Sequence, residues 1–298
     1  MNQRPPRVGL NIMVDDAYRA AAAPLFAEGL VDAVEWNVDQ RWLYGDSARK
    51  LPRWIDRLLD LYASADCLYG HGVWFSVLSA RWEPRQDRWL SNLARECRRR
   101  RYRHISEHFG FLTAGAFAEG TLLPVPKTEA SIRIGADRLA RLADAAGGAA
   151  GLENLAAALG PDDADAQGGF LDAILAEAGG FLLLDLHNLY TLGVNMGRDP
   201  ADLLSTYPLE RVREIHVSGG SFYRTRAAPE KGPFRLDSHD GPLPPEVLAL
   251  LPRALARCPN VEVVFFERRG DTFASKDDFT RYRDDFRAVR RAVEDAHG

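Results

Sequence analysis

At 298 residues, 46% hydrophobic and 27% charged, the chain has the size and composition of a globular protein, either one large α/β barrel or two ordinary domains. A formal net charge of -4 gives no electrostatic footprint for nucleic acid. The 3 cysteines (Cys67, Cys97, Cys258) are too few and too scattered for a disulfide framework. No stretch approaches the ~20 apolar residues of a membrane span. The start, MNQRPPRVGL, lacks the apolar run of a secretory signal, so the expectation is a cytoplasmic protein with no membrane association.

In chain order, a strand is expected at Val8–Val14, an Ala-rich helix at Asp16–Gly29 and a strand at Asp32–Val38. The helix expected at Ser47–Ala65 carries Leu51, Ile55, Leu58, Leu59 and Tyr62 on one face. The third apolar run, CLYGHG, includes Cys67 as a small core residue. A helix at Arg85–Arg101 follows. The basic cluster Arg98, Arg99, Arg100, Arg101 and Arg103 is read as its C-terminal end, where cations suit the helix dipole. Strand-like runs HISEHFGF, AGLENL, FLLLDLHN, VREIHVS and VEVVFFER then alternate with helices. The helices are expected at Glu129–Ala146, Ala164–Ala178, Pro200–Tyr207, Pro245–Arg257 and Ser275–Asp295. The longest irregular segment, GGSFYRTRAAPEKGPFRLDSHDGPLP, follows the seventh strand, and loops of that length are usually functional.

Strand and helix thus alternate eight times, which calls for a parallel sheet with helical crossovers and, in a chain of this length, a single (β/α)8 TIM barrel over residues 1–298. An open doubly wound sheet is the alternative, but its glycine fingerprint is missing after the first strand. Six of the runs end at a residue that binds metals well: His71, His108, Glu153, Asp185, His216 and Glu267. A buried strand favours unbroken apolar residues, so each is a local cost. In a barrel these ends meet at one face. Asp237 and His239 join from the long loop if its backbone curls, and Asn188 could add an amide oxygen.

Singly, each has an ordinary explanation: a hydrogen-bonded rim histidine, an ion pair of Glu267 with Arg268 or Arg269, or Asp185 capping a helix. Glu35 and Glu107 share strand-end positions without needing to be ligands. Together, four histidines and four carboxylates in one bowl would repel and desolvate each other without cations. The donors are nitrogen and oxygen without thiolate, which leaves iron, manganese and zinc open, and they exceed what one ion needs.

The segments GHGVWFS, SEHFGF, LEN, LLLDLHN, EIHVSGG, DSHDGPLP and FFERRG, in that order on a barrel, resemble the multinuclear non-heme iron-dependent oxidative enzymes (MNIO), including the methanobactin-biosynthesis type. That family shares the xylose-isomerase-like superfamily with endonuclease-IV-type enzymes. The latter look for histidine where Asn188 stands, whereas the iron family commonly has asparagine there. The chain departs from the iron family at His187, where a first asparagine is frequent, and in its first two strands, which carry Asn11, Glu35 and Asn37.

The resemblance implies metal ligands His71, His108, Glu153, Asp185, Asn188, His216, Asp237, His239 and Glu267, holding two or three irons of mixed Fe(II)/Fe(III) state, with dioxygen as co-substrate. Glu153 and Glu267 are the expected bridges. The implied substrate is a ribosomally made precursor peptide, oxidised at cysteine or at an acidic or amide residue. Many members use a small peptide-presenting partner protein. Glu153 and His187 are the expected catalytic residues, His187 as a proton shuttle or donor behind the ligands, with a packed histidine as the ordinary alternative. Tyr190, Asn195, Tyr223 and Arg224 are expected in substrate-facing loops, with Arg224 or Arg226 holding a peptide carboxylate. The alternatives are a zinc or manganese hydrolase or isomerase on the same barrel, and a non-catalytic peptide-binding barrel.

Overall fold

The structure, a computed structural model, describes residues 5–42, 51–114, 117–224 and 233–297. Its elements in chain order are β1 (Arg7–Asn11), α1 (Asp16–Ala27), β2 (Ala33–Asn37), α2 (Arg53–Ser64), β3 (Leu68–Gly72), α3 (Pro84–Arg99) and β4 (Ile105–His108). A hairpin of β5 (Phe111–Ala114) and β6 (Phe117–Leu123) precedes α4 (Glu129–Ala146), β7 (Ala150–Glu153), α5 (Pro161–Ala178) and β8 (Phe181–Asp185). Then come α6 (Leu186–Met196), α7 (Pro200–Leu204), β9 (Val212–Ser218) and a second hairpin of β10 (Phe222–Tyr223) and β11 (Phe234–Arg235). The last elements are α8 (Pro245–Leu255), β12 (Val263–Glu267) and α9 (Lys276–His297).

Eight strands close a parallel barrel in the order β1, β12, β9, β8, β7, β4, β3, β2, as the alternation of strand and helix predicts. Successive strand side chains point to opposite faces. On β9, Ile215 and Val217 point outward into the main core, whereas Glu214, His216 and Ser218 point into the barrel. On β12, Val264 and Phe266 pack outward under α9, where Tyr282 and Phe286 are buried; Val263 and Phe265 join Ala33 and Tyr69 in a small inner cluster. Each such large apolar side chain removed from water contributes ~1.5–3 kcal/mol, so the barrel–helix layer carries the stability. The inside of the barrel is free to be polar.

Several element ends differ from expectation. Helix α5 starts at Pro161, because proline with its preset φ suits a first helical position. Helix α6 is not foreseen in the sequence; it begins directly at Asp185, whose carboxylate caps it by accepting from the Asn188 amide. The β5–β6 hairpin is likewise outside the strand–helix alternation. The expected helix Ser47–Ala65 is described only from residue 51 and is helical at Arg53–Ser64. Cys67 lies just before β3, half-buried beside the inner cluster. The arginine cluster is more than a dipole partner. Arg98 and Arg99 do close α3, but Arg100 is buried and donates to Asp56 and Asp60 of α2 and to Glu96, which ties two helices together. No helix among the described residues is long and apolar enough to cross a membrane.

Candidate metal centre

Strand register builds the site. Parallel pairing sets Asn37 beside His71, His108 beside Glu153, and Asp185 beside His216, all at the C-terminal ends of inward-facing positions. Four overlapping donor sets form among the described residues: His71, His108 and Glu153; Glu153, Asp185 and His216; Asp185, His239 and Glu267; and, deeper in the barrel, Glu35, Glu214 and His216. Within each, the ligand atoms lie within 4.8 Å of one another. Glu153 and Asp185 each belong to two sets, whereas Glu267, the other carboxylate expected to bridge, belongs to one.

The imidazoles are held in defined tautomers. His108 Nδ1 meets the Gly72 carbonyl at 3.1 Å, so that nitrogen carries the proton. His71 Nδ1 donates to Ser106 Oγ at 2.8 Å, and the serine donates on to the Gly70 carbonyl. Both rings therefore turn Nε2 to Glu153 Oε2, at 3.2 Å and 3.3 Å. His216 is held from the other side: Nε2 faces Glu35 and Glu214, and Nδ1 faces Glu267 Oε2 at 3.2 Å. Asn188 Nδ2 donates to Glu153 Oε1 at 3.0 Å, leaving its amide oxygen toward the bowl.

The other part of the site hangs on the loop after β9. Asp237 and His239 do come together, Oδ1 to Nε2 at 2.7 Å, because His239 takes a left-handed backbone (φ 51°) that supplies the required curl. His239 Nδ1 lies 3.6 Å from Glu267 Oε2. A Cβ at Gly220 would overlap the Leu236 carbonyl and the His187 ring, so glycine there permits the close docking of this loop. His187, fully buried, accepts from Arg235 at Nε2 (3.1 Å) and so presents Nδ1–H to Asp237 Oδ1, 3.6 Å away.

Of the residues expected to contact substrate, Tyr190 and Asn195 lie on α6 rather than in a loop. Asn195 bonds the Arg235 backbone in both directions, at 2.9 Å and 2.8 Å, and Tyr190 lies under the Arg235 guanidinium, 5.0 Å from ring centre. Tyr223 and Arg224 are exposed at the end of β10. Arg226 lies outside the described residues.

Charge in the bowl is unbalanced. Burial raises Asp185 well above the usual carboxylate range, reinforced by Glu153 and Asp237. Burial would lower His71, but the Glu153 carboxylate outweighs it and holds the imidazole up to about 10. Asp237 and Glu267 likewise overcome burial and lift His239 to about 10. Burial lowers His108. Asp185 Oδ2 and Asn188 Oδ1 are buried without hydrogen-bond partners, and Glu153 Oε2, Glu267 Oε2 and His216 Nδ1 meet imidazole and carboxylate groups of the site only in ion-pair contacts at 3.2–3.3 Å that are not aligned as hydrogen bonds. Buried acceptors without donors are costly. Converging lone pairs of nitrogen and oxygen are what a hard or borderline cation requires, so the residues present fit a cluster of metal ions.

Sequence reading overlooks five participants, among them Ser106, which holds His71. Glu214 stands two residues before His216 on the same face of β9, and His104 two before Ser106; period two would have found both. Arg235 carries no local signal. Glu35, set aside as an acid that need not be a ligand, touches His216.

The fold and site together define a class: a (β/α)8 TIM barrel with a histidine- and carboxylate-lined candidate metal centre. Among solved structures, L-ribulose 3-epimerase superposes with a TM-score of 0.56 at 14% identity, over 98% of this chain and 95% of that one. Endonuclease IV of Thermus thermophilus superposes with a TM-score of 0.56 at 15% identity, over 97% and 100%. These likenesses establish the fold alone. The model of the RiPP precursor modification enzyme family MbnB/TglH/ChrH matches residues 48–288, and the chain belongs to that family. A UPF0276 protein of Acaryochloris marina is 32% identical over 63% of this chain and 64% of its own length. A UPF0276 protein of Streptomyces avermitilis is 29% identical over 90% of this chain and 54% of its own length. The chain thus spans between half and two thirds of these curated relatives.

Proposed function

We propose that this chain oxidises a residue of a ribosomally made precursor peptide, a cysteine or an acidic or amide residue, with two or three irons in mixed Fe(II)/Fe(III) state as cofactor and dioxygen as co-substrate. The supporting observation is the set of buried nitrogen and oxygen atoms without an aligned hydrogen bond, in overlapping donor sets joined by carboxylates. His71, His108 and Glu153 would hold one ion, Asp185 and His216 with Glu153 a second, and His239, Glu267, Asp237 and Asn188 would complete the cluster. Glu153 bridges on this reading, with Asp185 or Glu267 as the second bridge. When bound, iron supplies the redox chemistry that no protein side chain here offers.

The remaining residues orient and move protons. His187, holding a proton at Nδ1 beside Asp237, is the group placed to give or take one at the cluster's edge. Arg235, Asn195 and Tyr190 hold the loop that brings Asp237 and His239. Tyr223 and Arg224 at the rim receive the peptide, with Arg224 facing a carboxylate of the substrate. The chain acts as one barrel domain in the cytoplasm, and the peptide is recognised either by the barrel itself or through a small peptide-presenting protein; neither nucleic acid nor a membrane takes part. The test is anaerobic loading with Fe(II), metal analysis and Mössbauer spectroscopy, then oxygen and a precursor peptide. Two or more irons per chain and a mass change on the peptide are expected. Stoichiometric colourless zinc, with no oxidised product after iron loading, would sink the reading in favour of hydrolysis or isomerisation.

A further inference from the structure

A TIM barrel interior is ordinarily filled with layers of branched apolar side chains. Below this metal bowl the layer is polar. Glu35 from β2 and Glu214 from β9 are both fully buried, and His104, just before β4, is 2% exposed. Glu35 and Glu214 converge on one atom, His216 Nε2, each at 3.2 Å. Each carboxylate is braced from behind. Asn11 Nδ2 donates to Glu35 Oε2 at 2.6 Å, and His104 Nε2 donates to Glu214 Oε2 at 2.7 Å. His104 is wedged between Tyr69 and Phe181, with ring centres 4.8 Å and 4.4 Å away, so the base of the network is packed.

The consequence lies at the opposite nitrogen. Carboxylate oxygens accept, so two of them at Nε2 require that nitrogen to carry the proton. In the neutral form that can bind a metal, the lone pair of His216 is then confined to Nδ1, which is buried and faces Glu267 Oε2 at 3.2 Å. His71 and His108 achieve the same through a serine and a backbone carbonyl, which are weaker acceptors than a carboxylate. Of the four histidines, only His216 has two carboxylates behind it; His239, on the loop, has one, Asp237, at 2.7 Å.

We propose that Glu214 and Glu35 are positioning residues that fix the tautomer and orientation of His216, making its Nδ1 the strongest nitrogen donor of the centre, with His104 and Asn11 holding the two carboxylates in place. The inference rests on the reading of this bowl as a metal centre, but not on iron, dioxygen or the peptide. It also gives a use to the acid and asparagine in the first two strands, where the chain departs from the iron family's pattern.

The test compares wild type with E214Q, E35Q and the double variant, using Co(II) as a spectroscopic probe and Fe(II) in separate titrations, alongside the melting temperature of metal-free protein. A glutamine can turn its NH2 toward His216 Nε2 and drive the proton to Nδ1. Each single variant should weaken one metal equivalent by about 10-fold and the double by about 100-fold, with the remaining equivalents unchanged. The Co(II) ligand-field bands of that equivalent should shift, and E214D should recover part of the affinity. A fall in melting temperature with every equivalent bound as in wild type would overturn the inference, because a purely structural role moves stability and not one ion's affinity. Unchanged affinities at unchanged stability would overturn it too. Wild type that binds no metal removes the inference together with the functional reading. Wild type that binds zinc or cobalt and shows the variant effect, yet never oxidises a peptide, sinks the functional reading alone.

Discussion

The two halves of the candidate centre are built in different ways. His71, His108 and Glu153 stand on adjacent barrel strands, and the His71 and Glu153 side chains are 5% and 3% exposed. Their tautomers are fixed by groups of the barrel itself: the Gly72 carbonyl, and Ser106 bonded to Gly70. Asp237 and His239 sit on a loop, with side chains 25% and 21% exposed, and reach the bowl only through a left-handed residue. What holds them is a clamp of side chains on α6: Asn195 on the Arg235 backbone, Tyr190 beneath its guanidinium, and His187 accepting from it. Strand-borne ligands are positioned by the fold, loop-borne ligands by a handful of specific contacts. The loop side is therefore the adaptable half, where opening toward a substrate costs least.

The sharpest break of that comparison is Glu153→Gln, which removes the one carboxylate common to the His71–His108 set and the Asp185–His216 set. Metal content should fall to about one ion per chain, that of the Asp185–His239–Glu267 set, and activity should vanish, since two ions lose a ligand at once. Metal analysis checks it; a variant that keeps full occupancy would show that Glu153 joins no two ions.

Proton release comes next in size. In the metal-free chain, Glu153 outweighs burial to hold His71 up to about 10, and Asp237 with Glu267 does the same for His239. A raised imidazole must lose its proton to ligate. Each should therefore release one proton on metal uptake at neutral pH, and affinity should fall about 10-fold per pH unit per proton as pH drops below about 10. Calorimetry in buffers of different ionisation enthalpy counts these protons. Removing Glu153 should abolish the strand-side proton and spare the loop-side one; loss of both together would mean that the halves are not separable.

Arg235→Met should act on the loop half alone. It frees His187 Nε2 and removes the guanidinium from between Tyr190 and Phe222. One metal equivalent should weaken by roughly 10–100-fold while the strand-side ions keep wild-type affinity. Equal loss across all ions would contradict the division of the site.

Legibility in the sequence follows the same division. The strand-side ligands can be read because each interrupts an apolar run at its end, and eight such runs at regular spacing leave few folds open. Asp237 and His239 are legible only as a pair in an unusually long loop; the curl at His239 depends on a backbone angle that no local pattern dictates. Glu214, within β9, and His104, just before β4, escape notice because an inward polar residue looks like an exposed one until the barrel closes. Helix α6 is hidden because Asp185 serves both as strand end and as helix cap, so FLLLDLHN reads as one strand-like run with no break before the helix. Asn195 and Tyr190 carry residue types suited to substrate, but their partners lie 40 and 45 positions away on β11, beyond the reach of any periodicity.

The smallest effect is expected at the rim. Arg224 is exposed at the end of β10, on the same hairpin whose second strand carries Arg235 and leads into Asp237. A solvent-exposed arginine contributes less than about 1 kcal/mol to a contact, because water screens it and its side chain loses freedom on ordering. Arg224→Ala should therefore weaken binding of an acidic precursor peptide by no more than about 5-fold, and the loss should shrink in high salt. Metal occupancy and melting temperature should stay at wild-type values, since no hydrogen bond of the clamp involves this side chain. Peptide titrations at two ionic strengths, with metal analysis on the same samples, separate the possibilities. A drop in metal content would mean that the rim and the clamp are one unit, and the loop half would then extend to the surface that meets the substrate. Unchanged peptide affinity at low salt would remove Arg224 from substrate recognition and leave the hairpin as a scaffold for Asp237 and His239 only.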